Sequence, residues 1–285
     1  MTRNVVDQIE EWIEGHKEQL VKDVVSLVNI KSVSEKSDAP YIYGQGCAKV
    51  LQKALDLCQR YGFETKNPEY RCGTAIAKGE TEEEIGIFAH LDVVPEGDNW
   101  IFEPYHATIH EGHIVGRGAS DNKGPAMAAT YAVRCLKELG ISLKHTVRLY
   151  YGCDEEAGMS DIAYYLEHNA PPKFSFAPDC AFSVCNGEKG IMRIKLGAAI
   201  GESNLAKLAG GTACNMIPGC AYALLEDKNY NKINALIEEN KIEGISVFYQ
   251  QDQSGGTAEG VSGHVAFPDG TVNAIQKLCD FLDRF

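Results

Sequence analysis

Four short stretches carry side chains able to hold metals or move protons. His90-Leu91-Asp92 follows the apolar run Ile85-Gly86-Ile87-Phe88-Ala89. Gly118-Ala119-Ser120-Asp121-Asn122-Lys123-Gly124 is a glycine-flanked loop feeding an Ala-rich segment. Asp154-Glu155-Glu156 follows the alternating Val147, Leu149 and Tyr151, and Pro178-Asp179 follows Phe174-Ser175-Phe176-Ala177. In extended backbone, residues two apart share a side, so His90 and Asp92 face one site and the carboxylate can orient the imidazole. Asp121 is suited either to capping a helix or to bridging metals. Three adjacent carboxylates repel one another unless a cation sits among them. Imidazole plus carboxylates suits zinc, with manganese or cobalt as substitutes. Two metals sharing a carboxylate polarise a carbonyl and acidify water. An adjacent Glu pair can then divide labour, one ligating and one taking the proton.

These groups need elements to bring them together. Apolar residues at helical spacing predict helices over 7–28, 46–61, 124–139 (stopped by Gly140) and 160–168 (stopped by Pro171-Pro172). Buried strands are expected at 85–89 and 146–151, and a hairpin around Glu111-Gly112. Helices alternating with buried strands predict an α/β sheet, and open sheets of this class bind ligands at the carboxyl ends of their strands. Beyond Asn186 the pattern changes to strands at 188–199, 221–225 and 244–249 with helices at 230–239 and 272–285, an α+β arrangement. Two domains are therefore expected, 1–186 and 187–285.

Composition narrows the function. The 285 residues carry 27 Lys plus Arg against 40 Asp plus Glu, a formal net charge of -13 that repels phosphate and argues against nucleic acid as a partner. The first residues have no apolar core and no cleavage site, and no apolar stretch has membrane-spanning length, so a cytoplasmic chain without membrane attachment is expected. Ten cysteines are scattered without a C-x-x-C pair, which predicts mostly buried, reduced thiols. There is no phosphate loop, no G-x-S-x-G elbow and no H-E-x-x-H.

The strings His90-Leu91-Asp92-Val93-Val94-Pro95, Gly116 to Pro125 and Asp154-Glu155-Glu156-Ala157-Gly158, in that order, closely resemble the M20 family of metallopeptidases, and within it bacterial dipeptidases of the PepV and Sapep type. The resemblance implies a zinc-exopeptidase catalytic domain of the phosphorylase/hydrolase-like α/β class with an inserted α+β, ferredoxin-like lid. It implies that His90 and Asp179 ligate one zinc, Asp121 bridges two, and Glu156 ligates the second. Glu155 would be the general base and Asp92 would orient His90. The segment Gly210 to Pro218 resembles a lid motif whose Asn holds substrate, pointing to Asn215. Ser262-Gly263-His264 resembles the lid segment whose His stabilises the oxyanion, pointing to His264. The implied activity is hydrolysis of dipeptides or short peptides. The alternatives are deacylation of N-acyl amino acids, of the succinyl-diaminopimelate type, and a non-catalytic fragment.

In the family the second zinc takes a further His from a returning C-terminal segment. This sequence reaches Phe285 inside what resembles the lid. Both domains are therefore expected to be incomplete, with the second metal site and the carboxylate-binding part of the pocket affected. The uncovered apolar surface would favour self-association or pairing with a complementary C-terminal chain.

Overall fold

The computed structural model describes residues 4–97, 100–180, 183–187, 190, 192, 194–197, 204–225, 231, 234–235, 238–239, 243–250, 253–265 and 268–283. The chain divides into two compact units, Met1–Lys189 and Gly190–Phe285.

The first unit is built on a five-stranded sheet. Its strands are β1 (Glu64–Lys66), β2 (Gly73–Ala77), β3 (Thr81–His90), β6 (His145–Gly152) and β7 (Phe174–Phe176), in the order β1-β2-β6-β3-β7. The pairs β6–β3 and β3–β7 are parallel, whereas β1–β2 and β2–β6 are antiparallel. The short hairpin β4 (Thr108–His110) and β5 (His113–Val115) turns at Glu111-Gly112 as the sequence predicts. Helices α1 (Val5–Val28), α2 (Gly44–Arg60) and α3 (Lys123–Glu138) pack on one face. There Leu27, Leu51, Leu55 and Met127 meet Ala75, Ile87, Val147, Leu149 and Tyr151 in one buried cluster. The opposite face carries α4 (Ser160–His168), whose Tyr165 packs with Tyr150 and Cys72. The period-2 alternation of β6 thus buries both faces: odd positions enter the main core and Tyr150 enters the smaller one. Full burial of Tyr151, Leu149 and the apolar helix faces, at about 1.5–3 kcal/mol per large side chain, is the main force holding this layer stack together.

The second unit has a four-stranded antiparallel sheet in the order β11-β12-β10-β8. Its strands are β8 (Leu205–Gly210), β10 (Cys220–Leu225), β11 (Ile245–Gln250) and β12 (Gln253–Glu259), and α5 (Ala274–Leu282) packs against them through Leu278 and Phe281. Asn273 caps α5, its side-chain oxygen accepting the Ile275 and Gln276 amides. Strands β9 (Met216–Ile217) and β13 (Gly263–His264) form a separate two-stranded pair. Half of the residues in the strand expected at 188–199, and half of those in the helix expected at 230–239, lie outside the described residues.

The sequence pattern misses β1, β2, β8 and β12. β2 is Gly-Thr-Ala-Ile-Ala, buried throughout and too small and unpatterned to signal a strand, and β12 contains Gly255-Gly256 where strand formers are expected. The cysteines also differ from expectation. All ten are free, but only Cys47, Cys58, Cys72, Cys135 and Cys153 are buried; Cys180, Cys185, Cys214, Cys220 and Cys279 are exposed. Those five lie on loops or on solvent faces of their elements. Among the described residues no helix is long and apolar enough to cross a membrane.

Candidate metal centre

Strands β3, β6 and β7 run parallel, so their carboxyl ends open on one edge of the sheet. His90, the last residue of β3, lies beside Gly152, the last residue of β6. The Leu91 amide donates to the Gly152 carbonyl at 2.9 Å, carrying the pairing one step further. Asp154-Glu155-Glu156 follows β6, Pro178-Asp179 follows β7, and Asp121 precedes α3. The loop before α3 turns at Gly118, which has φ +87° and where a Cβ would lie 2.8 Å from Val93.

The His90 imidazole, 3% exposed, is the hub. Its Nε2 lies 2.9 Å from Asp121 Oδ1, 3.6 Å from Asp179 Oδ2 and 3.9 Å from Glu155 Oε2. Two ligand groups form around it, His90–Asp121–Glu156 and His90–Glu155–Asp179, each with donor atoms within 4.8 Å of one another. The other ring nitrogen, Nδ1, donates to the main-chain carbonyl of Asp92 at 3.0 Å, which directs Nε2 at the carboxylates.

The Asp92 carboxylate does more than face the imidazole. Its Oδ1 is 3.4 Å from His90 Nδ1. The fully buried carboxylate also accepts the amides of Glu155 at 3.2 Å and Glu156 at 3.0 Å. Asp92 therefore caps the turn that carries the glutamate pair, while its carbonyl and its carboxylate both face His90 Nδ1. Asp154 departs from the picture of three repelling carboxylates around a cation. It is buried and accepts the hydroxyls of Ser34 (2.9 Å) and Ser160 (2.6 Å), away from both ligand groups. Behind the turn, Asp161 Oδ2 accepts the amides of Cys153 and Asp154.

The electrostatics are those of a crowded anionic site. Burial disfavours the His90 imidazolium, but hydrogen bonds to Asp121 and Asp92 and the nearby Asp179 carboxylate push its pKa up to about 11. Burial, then the Asp121 carboxylate, raises Glu156 to about 7. Burial also raises Glu155, with Asp179, Asp92 and Asp121 adding to it and His90 opposing. The hydrogen bond from His90 lowers Asp121. Among the described residues the His90 ring and, at longer range, Arg117 oppose the mutual repulsion of these carboxylates.

Asn215 and His264 belong to the second unit. The Asn215 carbonyl accepts the Val265 amide at 2.9 Å, and His264 pairs with Met216 between β13 and β9; the His264 side chain lies outside the described residues. Of the remaining histidines, His110 and His113 are exposed on the hairpin and His16 stacks on Trp12. Sequence reasoning passed over Asn122. It is fully buried, and its amide donates to Pro178 O at 2.9 Å and Asp179 Oδ1 at 2.6 Å. Its place inside the Asp121-Asn122-Lys123 string was the available signal.

Residues 86–276 match Peptidase family M20/M25/M40. The chain belongs to this family. This M20 family chain is 33% identical over 286 residues to a putative dipeptidase, YtjP, of Bacillus subtilis (strain 168), covering 94% of the chain and 60% of that protein. It is 30% identical over 287 residues to a Beta-Ala-Xaa dipeptidase of Lactobacillus delbrueckii subsp. lactis, covering 96% of the chain and 60% of the relative. It thus spans about 60% of the length of the curated relatives it matches. Among solved structures it is similar to human carnosine dipeptidase 1, with a TM-score of 0.51 and 25% identity over 57% of this chain and 38% of that one. The α/β zinc-peptidase catalytic fold expected from the motifs is the fold of the first unit. A divalent metal fits the donor set: one imidazole with its second nitrogen pinned, and four carboxylates converging on the first.

Proposed function

We propose that this chain carries the metal-binding machinery of a zinc-dependent dipeptidase. The observation that supports the reading most directly is the convergence of His90, Asp121, Glu155, Glu156 and Asp179 on one strand edge, two overlapping ligand groups sharing one imidazole. In this reading His90, Asp121, Glu156 and Asp179 would hold the zinc, with manganese or cobalt as substitutes. When bound, the metal polarises the scissile carbonyl and acidifies water.

The chain's own residues do the rest. Glu155 is the general base. Burial and its anionic neighbours raise its pKa, so it accepts a proton from water more readily and then delivers it to the leaving amine. Asp92 holds Glu155 and Glu156 by their amides, so base and ligand keep a fixed separation. The resemblance would further give Asn215 a substrate-holding role and His264 an oxyanion-stabilising role. The substrates are dipeptides, in a cytoplasmic setting. The relatives named as dipeptidases support the substrate class.

The test is titration of the purified, metal-stripped chain with zinc, followed by hydrolysis assays on a dipeptide panel and on N-acyl amino acids. Zinc binding lost in His90→Ala and Asp121→Ala, with turnover of dipeptides, is the expected result. Turnover of N-acyl amino acids alone moves the activity to deacylation. A chain that binds no zinc refutes the reading.

A further inference from the structure

We infer that Asn122 is a positioning residue that selects which carboxylate oxygen Asp179 offers to the metal, an inference that rests on the reading just proposed. Asn122 is the N-cap residue of α3, where an Asn side chain ordinarily accepts an amide of the first helical turn. Here it makes no such bond. Its side chain is fully buried and turned the other way. Nδ2 spends both hydrogens, one on Pro178 O at 2.9 Å and one on Asp179 Oδ1 at 2.6 Å. Oδ1 receives the His90 amide at 3.4 Å. The flipped amide would set Oδ1 against two acceptors, so the partners fix its orientation.

The cap bond that α3 forgoes would be worth about 1 kcal/mol. What stands in its place ties three elements together: the end of β3, the start of α3 and the segment after β7. That segment needs a tether. β7 is three residues long and exposed along its length, pairing among the described residues only with β3, and Asp179 lies three residues beyond it. With Oδ1 held by a short charge-assisted bond, Oδ2, 3.6 Å from His90 Nε2, is the oxygen left to ligate. Asp179 is thereby made a one-oxygen ligand, and its position is coupled to that of His90 through a single amide.

Partners of this kind change metal affinity about 10–100-fold when removed. The experiment is competitive zinc titration against a chromophoric chelator for wild type, Asn122→Ala, Asp179→Asn and the double variant, with circular dichroism to report folding. The expected result is a folded Asn122→Ala chain binding zinc about 10–100-fold more weakly, and a double variant binding no more weakly than Asp179→Asn alone. Asn122→Ser, which keeps one donor, should fall between wild type and Asn122→Ala, and it supplies the comparison if Asn122→Ala does not fold. A structural role alone would lower stability without this non-additivity. Unchanged affinity in both Asn122 variants, or losses that add in the double variant, overturns the inference while the metal site stands. A wild type that binds no zinc removes the metal reading and the inference together.

Discussion

Asp92→Asn sets two physical effects against each other. One view treats Asp92 as one negative charge too many, since its carboxylate raises both Glu155 and Glu156. Neutralising it would then stabilise the metal-free chain. The other view follows its contacts. The protonated His90 ring nitrogen 3.4 Å away attracts the carboxylate by about 5 kcal/mol at an effective dielectric constant of about 20. The attraction to His90 and the repulsion from the glutamates have opposite signs, so charge alone does not fix the outcome. The hydrogen bonds then decide. The carboxylate accepts two amides, Glu155 at 3.2 Å and Glu156 at 3.0 Å, and bonds to a charged acceptor contribute about 1.5–3 kcal/mol each. Asparagine keeps one acceptor and turns an NH2 group on the second amide, in a site with no exposure through which water could substitute. The expected loss is about 2–4 kcal/mol. Both tryptophans, Trp12 and Trp100, lie in the first unit, so urea unfolding followed by their fluorescence in chelator at pH 7 reads this unit. The midpoint should fall with the m-value unchanged. A variant as stable as wild type, or more so, would refute the capping argument and show that charge relief dominates.

Stability of the metal-free chain should fall as pH rises. His90, raised to about 11, contributes stability fully present below its unfolded value near 6.5 and lost as pH climbs through the folded value. Glu156, raised to about 7, likewise favours the folded chain below about 4.5 and loses that contribution as pH passes about 7. Urea midpoints in chelator from pH 5 to 8 test the sign, and Glu156→Gln should flatten the acidic half of the curve. Zinc binding at pH 7 should release about one proton from His90 and a fraction of one from Glu156, read by calorimetry in buffers of different ionisation enthalpy; no release would contradict the protonation scheme. Zinc at 100 times its Kd should add about 2.7 kcal/mol to the stability of the first unit, reversed by chelator. Gly152→Ala should cost about 1–3 kcal/mol, because its Cβ would meet Asp161 Oδ2 at 2.6 Å, and that oxygen already holds the Cys153 and Asp154 amides; an unchanged midpoint would refute this.

What could be read in advance follows the range of each interaction. The helices α1, α3 and α4 and the strands β3 and β6 announce themselves because burial on one or two faces imposes a period on a single stretch of chain. The candidate site motifs are legible because their chemistry is local: His90 and Asp92 are two residues apart, and Glu155 and Glu156 are adjacent. The destinations of individual oxygens and hydrogens are not local. Asp92 reaches 63 and 64 residues along the chain to the Glu155 and Glu156 amides, and Asn122 reaches 57 residues to Asp179. No period or spacing encodes such a bond. It exists only once the β3–β6–β7 register sets the strand ends side by side, and this is also why Asp154 could be grouped with its neighbours when its side chain faces Ser34 and Ser160.

That register is the link between folding and chemistry. His90 is paired with Gly152, and two residues on from each partner the chains carry Asp92 and Asp154. A shift of one residue in the β3–β6 pairing would carry Asp92 past the glutamate amides and reverse the faces of Leu149, Tyr150 and Tyr151, moving fully buried side chains between two cores. The cost of exposing or overpacking those residues, several kcal/mol, opposes any slip that would spread the carboxylates apart. The hydrophobic pattern of β6 therefore holds the anionic groups where their mutual repulsion would not put them. Their mutual repulsion favours a cation among them, and in the proposed reading a bound metal would take the place of the His90 proton.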